Sequence, residues 1–246
     1  LAAAAGKPLE LENQLLNDPM IELIKALNQV GAHLSWNEIA EILSAGGPEL
    51  SMQDKTIYAG SAPMNFYLLS ALAMGRPGVV KFTGDSALKL HDFSVWRKTT
   101  PLFGARLAHV IPKSNGLPVH LECSGIMPEE VVLPADLPAD AFCALLLASI
   151  FWPEPVTFIG SQQTWWQPCV QELMPLFEAC GVNVTVNGEA ITVVPGVANF
   201  PKNPALPRDP FFASLCLSFP AFVGGNSVMR RSPEGLENDK EEDYCD

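Results

Sequence analysis

The sequence predicts an α/β (α+β) fold of inside-out architecture, in which the helices are buried and the sheets lie outside. The first observation is a pattern that recurs about every 70–80 residues, in copies from Phe66 to Gly125 and from Ala141 to Gly196. The second is that the first helix of each copy is apolar on all of its faces. The third is that the strands alternate or are β-branched, as half-exposed sheets require. Each copy has the order β-α-β-α-β-β, and three such repeats around a pseudo-threefold axis would form a compact prism.

The elements of the two copies correspond one by one. The apolar helices are FYLLSALAMG and AFCALLLASIFW, and a helix without a polar face belongs in a core. A β-like run then ends at Gly84 or Gly160, and a second helix ends at Gly104 or Gly181. Two strands close each copy, LAHVIP with PVHLECSG and NVTVNG with AITVVPG. Hairpin turns are predicted at three glycine-containing sites: Asn115-Gly116, Asn187-Gly188 and Gly46-Gly47-Pro48.

Incomplete copies precede and follow the complete ones. The stretch NDPMIELIKALNQVGAHLSW matches the second half of a repeat, residues 1–6 match the end of an opening helix, and a segment from Asp209 matches an opening. We therefore expect the chain to be the middle part of a longer polypeptide. The predicted organisation is one domain over residues 1–200, the start of a further repeat of another domain over 201–229, and an acidic disordered tail over 230–246.

Composition and charge exclude several classes of function. The formal net charge is −12, from 15 basic and 27 acidic residues, whereas nucleic-acid binding needs a basic surface. No apolar stretch approaches the roughly 20 residues that span a bilayer, so we expect no nucleic-acid and no membrane partner. The six cysteines include no C-x-x-C pair, which favours a reduced, cytoplasmic location. His33, His109 and His120 lack metal-ligand spacing, so we predict no metal site.

The densest basic cluster lies in KLHDFSVWRK, which contains Lys89, His91 and Arg97. It has two interpretations: an anion site on a loop between a strand and a helix, or the solvated start of a helix. Trp166 also has two interpretations, because a tryptophan beside a helix start can stack on a ligand ring or anchor the packing. Both alternatives stay open at the level of the sequence.

Four segments carry a resemblance to one family. LLNDPMIELIKALNQVGA is similar to the pattern L-x-S-D-D-x-x-x-M-L-x-A-L-x-x-L-G, and AGSAPMNFYLLSALAM is similar to G-N-A-G-T-x-x-R-x-L-x-A-A-L. GDSALKLHDFSVWRKTTPLFGA resembles G-D-x-x-M-x-x-R-P-I-x-x-L-x-x-x-L-x-x-L-G-A, and DLPADAFCALLLAS falls on S-x-S-S-Q-x-x-x-A-L-L. These patterns are typical of 5-enolpyruvylshikimate-3-phosphate synthase and its relative UDP-N-acetylglucosamine enolpyruvyl transferase. The resemblance covers about Leu1 to Met229.

The resemblance implies both a fold and an activity. The family fold has two globular domains, each of three β-α-β-α-β-β units, and residues 1–200 resemble the domain with most of the shikimate-3-phosphate contacts. The implied reaction transfers enolpyruvyl from phosphoenolpyruvate to shikimate-3-phosphate by acid–base addition and elimination, with no metal or organic cofactor. The implied partners are a phosphorylated small molecule and either a second domain of the same fold or another enzyme of the shikimate pathway.

Within this resemblance the scaffold residues match, whereas most phosphate-binding residues do not. The two arginines of the family fall on Phe66 and His91. Its Ser-Ser-Gln segment falls on residues 138–140, which end in Asp140, and a later serine falls on Trp166. Phosphate recognition needs bidentate arginine and hydroxyl or amide donors, which neither a phenyl ring nor a carboxylate supplies.

The candidate substrate-binding residues lie at these matched positions or in the basic cluster, and no catalytic residue is assigned. They are Ser61, Asn65, Lys89, His91, Arg97, Asp140 and Trp166. Two hypotheses from different classes remain. The first is a divergent enolpyruvyl transferase, of which this chain alone is expected to be inactive. The second is a pseudoenzyme that keeps the fold as a binding or scaffolding module.

Overall fold

The computed structural model describes residues 1–12, 16–48, 50–160 and 166–196, together with Phe200 and Ser218. The chain divides into two compact units, Leu1–Lys202 and Asn203–Asp246, and every helix and strand given below belongs to the first unit. The predicted disordered tail and, apart from Ser218, the predicted further repeat lie outside the described residues. The assignment of that repeat to another domain therefore stays a prediction.

An incomplete repeat opens the chain. It comprises β1 (Leu9–Leu11), α1 (Asp18–Gln29), β2 (Ser35–Asn37) and β3 (Ile42–Ala45). The strands form an antiparallel sheet in the order β1-β3-β2. Helix α1 begins where the Asn17 side chain accepts a hydrogen bond from the Met20 backbone N–H, which satisfies one of the unpaired donors of the first turn.

The second repeat is complete. It comprises β4 (Thr56–Tyr58), α2 (Pro63–Met74), β5 (Gly78–Thr83), α3 (Ser86–Leu90), α4 (Ser94–Thr99), a 3₁₀ turn (Thr100–Phe103), β6 (Ala105–His109) and β7 (Val119–Cys123). The sheet order is β4-β5-β7-β6, with β4 parallel to β5 and the other neighbours antiparallel.

The third repeat has the same topology as the second. It comprises β8 (Glu130–Val132), α5 (Ala139–Ser149), β9 (Val156–Ile159), α6 (Trp166–Ala179), β10 (Asn183–Asn187) and β11 (Ala190–Val194). The sheet order is β10-β11-β9-β8, with β8 parallel to β9 and the other neighbours antiparallel. The predicted β-α-β-α-β-β repeat is therefore present twice in full.

The two opening helices, α2 and α5, form the centre of the core. Eight of the twelve residues of α2 and seven of the eleven residues of α5 are buried, and the two helices pack against each other. By contrast, only Ala26 is buried in the amphipathic helix α1. The strands alternate as expected: Val80 and Phe82 of β5 are buried, whereas Val79 and Lys81 between them are exposed. The α/β class with buried helices is thus confirmed.

Two buried indole N–H groups that pack against α2 are paired. The Trp96 indole N–H donates to the Ser70 hydroxyl at 3.0 Å, and Ser70 donates in turn to the Phe66 carbonyl at 2.7 Å. The Trp152 indole N–H donates to the Ala71 carbonyl at 2.9 Å. Because an unpaired buried donor costs about 1–3 kcal/mol, these bonds allow large indole rings to pack directly against α2.

Several local predictions need correction. The segment around Lys89 and Arg97 is not a loop but the two short helices α3 and α4. Helix α5 ends at Ser149, three residues before the predicted end. Gly46-Gly47-Pro48 follows β3 and does not form the β2–β3 hairpin, which turns at residues 38–41. That turn is set by the Asn37 side chain, which accepts hydrogen bonds from the Ile39 and Ala40 backbone N–H groups.

The central position of α5 leads to a prediction about stability. We expect Leu145→Ala to lower the free energy of unfolding by about 2–5 kcal/mol, because this side chain is fully buried and its removal leaves a cavity. Leu90→Ala is the matched control, since Leu90 is 88% exposed and its loss should change stability by no more than about 0.5 kcal/mol. Urea unfolding measures both variants. Equal effects would contradict the buried position of α5.

Candidate functional site

The first turn of α1 lies beside that of α2, the first turn of α5 lies beside that of α6, and Asp140 of α5 lies close enough to affect Tyr67 of α2. We call these helix starts together the helix-start cluster. Two hydrogen bonds connect α1 with the start of α2: the Ser61 hydroxyl donates to the Glu22 carboxylate at 2.8 Å, and the Asn65 amide donates to the Pro19 carbonyl at 2.9 Å. The stacked rings of Phe142 and Trp166 connect α5 with α6. Four of the seven candidate residues, Ser61, Asn65, Asp140 and Trp166, belong to this cluster.

Glu22 occupies the start of α2 from within the chain. Its Oε2 accepts hydrogen bonds from both the backbone N–H and the hydroxyl of Ser61, at 2.7 and 2.8 Å. The carboxylate lies so close to Gly60 that a Cβ at Gly60, which has a φ of 79°, would collide with it. Helix α2 has no side-chain cap of its own at Ala62. An internal carboxylate thus already occupies both donors of Ser61, next to the start of α2.

Two aromatic triads fill the space behind the helix starts, and they occupy equivalent positions in the two complete repeats. In each triad, a phenylalanine of the opening helix contacts two other rings. It meets a phenylalanine of the next strand edge-on. Its ring centroid also lies 4.5 Å from that of an aromatic residue at the start of a later helix. The first triad is Phe66, Phe82 and Phe93, and the second triad is Phe142, Phe158 and Trp166. None of these rings is more than 2% exposed.

Tyr67 lies beside the first triad, and two carboxylates contribute to the raised pKa of its hydroxyl. Its ring meets those of Phe93 and Trp96 edge-on, and only 2% of the residue is exposed. Burial, followed by the negative charges of Asp140 and Asp92, raises the pKa of the Tyr67 hydroxyl to about 12. Asp140, exposed in the first turn of α5, therefore places negative charge close to this hydroxyl.

The basic cluster does not form a common site. Lys89 and Arg97 are exposed on α3 and α4, and neither side chain bonds another residue in the described ranges. The half-buried His91 packs its ring 4.5 Å from that of Phe93 instead. Asp92 accepts hydrogen bonds from the backbone N–H and hydroxyl of Ser94, which lower the pKa of its carboxyl. The two cations are thus solvated, as in the second interpretation, but they lie in the last turns of α3 and α4 and not at the start of a helix.

Trp166 is a packing residue at the start of α6. Its ring stacks on Phe142 with an interplanar angle of 21°, and it is 2% exposed, so its faces are not available to a ligand ring. Its indole N–H is buried and has no hydrogen-bond partner in the described part of the chain. The structure thus agrees with the packing interpretation of this tryptophan.

The residues that the sequence did not single out are Glu22 and Tyr67. Glu22 contacts a residue 39 positions away, and no local pattern indicates such a contact. Tyr67 directly follows Phe66, which falls on an arginine position of the family pattern. The sequence therefore did contain a signal that could have drawn attention to Tyr67. Within the described ranges, no three His, Cys, Asp or Glu side chains converge as a metal site would require, and no helix is long and apolar enough to cross a membrane.

Comparisons with known proteins give one curated relative at low identity. No family model matches the chain. The 3-phosphoshikimate 1-carboxyvinyltransferase of Cronobacter sakazakii is 25% identical over 245 residues, which cover 96% of this chain and 56% of the relative. The chain therefore spans about half the length of the curated relative that it matches.

Solved structures share the fold. The structure of EPSP (5-enolpyruvylshikimate-3-phosphate) synthase from Acinetobacter baumannii superposes on this chain with a TM-score of 0.67 and 18% identity. The match covers 82% of this chain and 45% of that protein. The enolpyruvyl transferase NikO from Streptomyces tendae gives a TM-score of 0.53 and 17% identity, over 78% of this chain and 44% of that protein. The resemblance stated from the sequence is confirmed at the level of fold: the chain has an EPSP synthase-like enolpyruvyl transferase fold.

The contact between α1 and α2 can be tested through stability. We expect Glu22→Ala to lower the free energy of unfolding by about 1–2 kcal/mol, because two donors of Ser61 lose their charged acceptor. Glu178→Ala is the matched control, since Glu178 is an exposed helical glutamate of α6 and should change stability by no more than about 0.5 kcal/mol. Urea unfolding compares the two variants. A loss at Glu22 no greater than at Glu178 would refute the contact.

The charge at the start of α5 can be tested through the ionisation of Tyr67. We expect Asp140→Asn to lower the pKa of Tyr67 from about 12 towards its ordinary value, because one of the two neighbouring negative charges is removed. Asp136→Asn is the control, since Asp136 is exposed before α5 and does not affect this pKa. Phenolate absorbance against pH, with Tyr67→Phe subtracted, measures the change. An unchanged pKa would place Asp140 away from Tyr67.

Proposed function

We propose that this chain is a non-catalytic member of the enolpyruvyl transferase fold, a pseudoenzyme domain that serves as a binding or scaffolding module. It would not transfer enolpyruvyl from phosphoenolpyruvate to shikimate-3-phosphate. The observation that carries the proposal is that the helix-start cluster is occupied by side chains of the chain itself. Rings fill its interior, and the carboxylates of Glu22 and Asp140 lie at its helix starts.

The chemistry of anion binding supports this proposal. A phosphate at a helix start is held by backbone N–H groups, and arginine, hydroxyl or amide side chains add directed donors. Here the backbone N–H of Ser61 already donates to Glu22, and Phe66 offers no donor. Asp140 adds a negative charge that would repel a phosphate. An anionic ligand would have to displace the Glu22 carboxylate and bind near the negative charge of Asp140.

A divergent transferase is the second candidate. It is favoured by the alignment with a protein named 3-phosphoshikimate 1-carboxyvinyltransferase, which extends over 96% of this chain. It is also compatible with Lys89 and Arg97, whose exposed cations could hold an anion outside the helix-start cluster. In this case the activity would require segments beyond the matched half, such as a second domain of the same fold.

Turnover distinguishes the two candidates. We expect no phosphate release above the blank when the full-length natural protein is given shikimate-3-phosphate and phosphoenolpyruvate, because the phosphate-binding donors are missing. The coupled assay should include an EPSP synthase as a positive control. Steady turnover on the order of 1–1000 per second would overturn the pseudoenzyme proposal and favour the transferase.

Calorimetric titration with shikimate-3-phosphate adds a measurement that does not depend on catalysis. We expect no binding heat for the wild-type chain. If heat is seen, Asp140→Asn should strengthen binding at the helix-start cluster, whereas Lys89→Ala should weaken binding at the exposed cations. Asp136→Asn controls for the loss of one negative charge elsewhere on the surface.

A further inference from the structure

Two Asn-Gly pairs of the sequence have the same chemistry but lie in different surroundings. Asn115-Gly116 belongs to the connection between β6 and β7, and Asn187-Gly188 belongs to the hairpin between β10 and β11. An asparagine before glycine is prone to deamidation, because glycine has no side chain to hinder the attack of its backbone nitrogen on the asparagine amide. The surroundings therefore decide which of the two pairs can react.

The Asn187-Gly188 pair is open to water. Both residues are exposed, and a Cβ added at Gly188 would meet no atom within 4 Å. The strand register ends with Asn187 opposite Ala190, so Gly188 lies in the turn, where its φ is 59°. Within the residues that the structure describes, no hydrogen bond holds the Gly188 backbone N–H. This nitrogen is therefore free to approach the neighbouring amide, and water can reach the product.

The Asn115-Gly116 pair is held in place. The Gly116 N–H donates to the Ser114 hydroxyl at 3.1 Å, and the Asn115 carbonyl accepts from the Phe93 N–H at 3.0 Å. Gly116 is buried and lies so close to the Lys89 carbonyl that an added Cβ would collide with it. The nitrogen that would have to attack is thus bonded, packed and shielded from water.

We propose that Asn187 is a site of spontaneous deamidation in the folded chain, whereas the fold protects Asn115. The Gly188 backbone nitrogen gives its proton to hydroxide and attacks the side-chain carbonyl carbon of Asn187. A new C–N bond closes a succinimide ring, and the side-chain nitrogen leaves as ammonia with a proton from water. One water then opens the ring at either carbonyl and leaves aspartate or isoaspartate. In total, one amide and one water give one carboxylate and one ammonium ion.

The modification would change the β10–β11 hairpin in two ways. It adds a negative charge beside Glu189 in a chain whose formal net charge is already −12. Isoaspartate also lengthens the main chain by one methylene, which disturbs the pairing of Asn187 with Ala190. The Gly160 N–H donates to the Glu189 carbonyl at 3.0 Å, so the disturbance extends to the end of β9. This inference does not depend on whether the chain transfers enolpyruvyl.

Peptide mapping of the aged chain compares the two sites in one sample. Cleavage after basic residues and after glutamate isolates Asn115 in residues 114–122 and Asn187 in residues 179–189. In mildly alkaline buffer, we expect Asn187 to react at least about tenfold faster, since each hydrogen bond that must break at the protected pair costs roughly a two- to tenfold factor in rate. Fragment spectra distinguish Asn187 from Asn183 in the same peptide. In urea, where the fold is lost, the two rates should be similar.

Two variants separate the chemistry from the surroundings. Asn187→Gln keeps the amide, but its longer side chain does not readily form the succinimide ring, so conversion at this position should stop. Ser114→Ala removes the acceptor of the Gly116 N–H and should raise the rate at Asn115 by about two- to tenfold, with no change at Asn187. The wild-type comparison requires no variant, so a variant that fails to fold does not remove the test.

Two results would overturn the proposal. The first is equal conversion of the two peptides in the folded chain. The second is conversion at Asn187 in urea alone, which would mean that the hairpin protects this residue as well. An isoaspartyl methyltransferase gives an independent readout: it should methylate the aged wild-type chain and leave the aged Asn187→Gln chain unmethylated.

Discussion

The structure depends on the packing of α2 against α5, two helices that have no polar face. Such helices are stable in water only when other elements cover them on every side, so the sheets and the amphipathic helices must lie outside. The same constraint decides where chemistry is possible. Because most residues of both helices are buried in the core, a ligand can reach these helices only near their ends. The helix-start cluster lies at one of these ends.

At the starts of α2 and α5, carboxylates of the chain itself lie where an anionic ligand could otherwise bind. The carboxylate of Asp140 lies in the first turn of α5, where negative charge interacts favourably with the helix dipole by about 0.3–1 kcal/mol. Glu22 accepts two hydrogen bonds from Ser61, the residue that precedes the N-cap of α2, Ala62. A functional anion site leaves such donors unsatisfied until the ligand arrives, and that costs stability. Here the donors of Ser61 are satisfied within the chain, which supports the proposed absence of an anion site.

The fold could be predicted from the sequence because its signals are local. Continuous apolar runs located α2 and α5, alternating or β-branched residues located most strands, and glycines marked where helices end, since Gly104 and Gly181 have φ values of 64° and 63°. The strands β4 and β8 are three residues long, and α3 and α4 span five and six residues, which is too short for periodicity to detect. The site was less predictable, because the bond from Ser61 to Glu22 and the charges around Tyr67 join distant segments.

The internal repeat gives a physical reason for the residue at position 66. The resemblance to enolpyruvyl transferases would place an arginine there, yet Phe66 matches Phe142, the equivalent residue of the other complete repeat. Each ring contacts the phenylalanine of its own strand edge-on, at interplanar angles of 80° and 81°, and a second ring at 4.5 Å. A guanidinium in that fully buried place would need paired acceptors, whereas the surroundings are aromatic. Phe66 therefore packs in the same way as Phe142 in the other repeat. Its aromatic surroundings offer no acceptors for the arginine that phosphate recognition would require at this position.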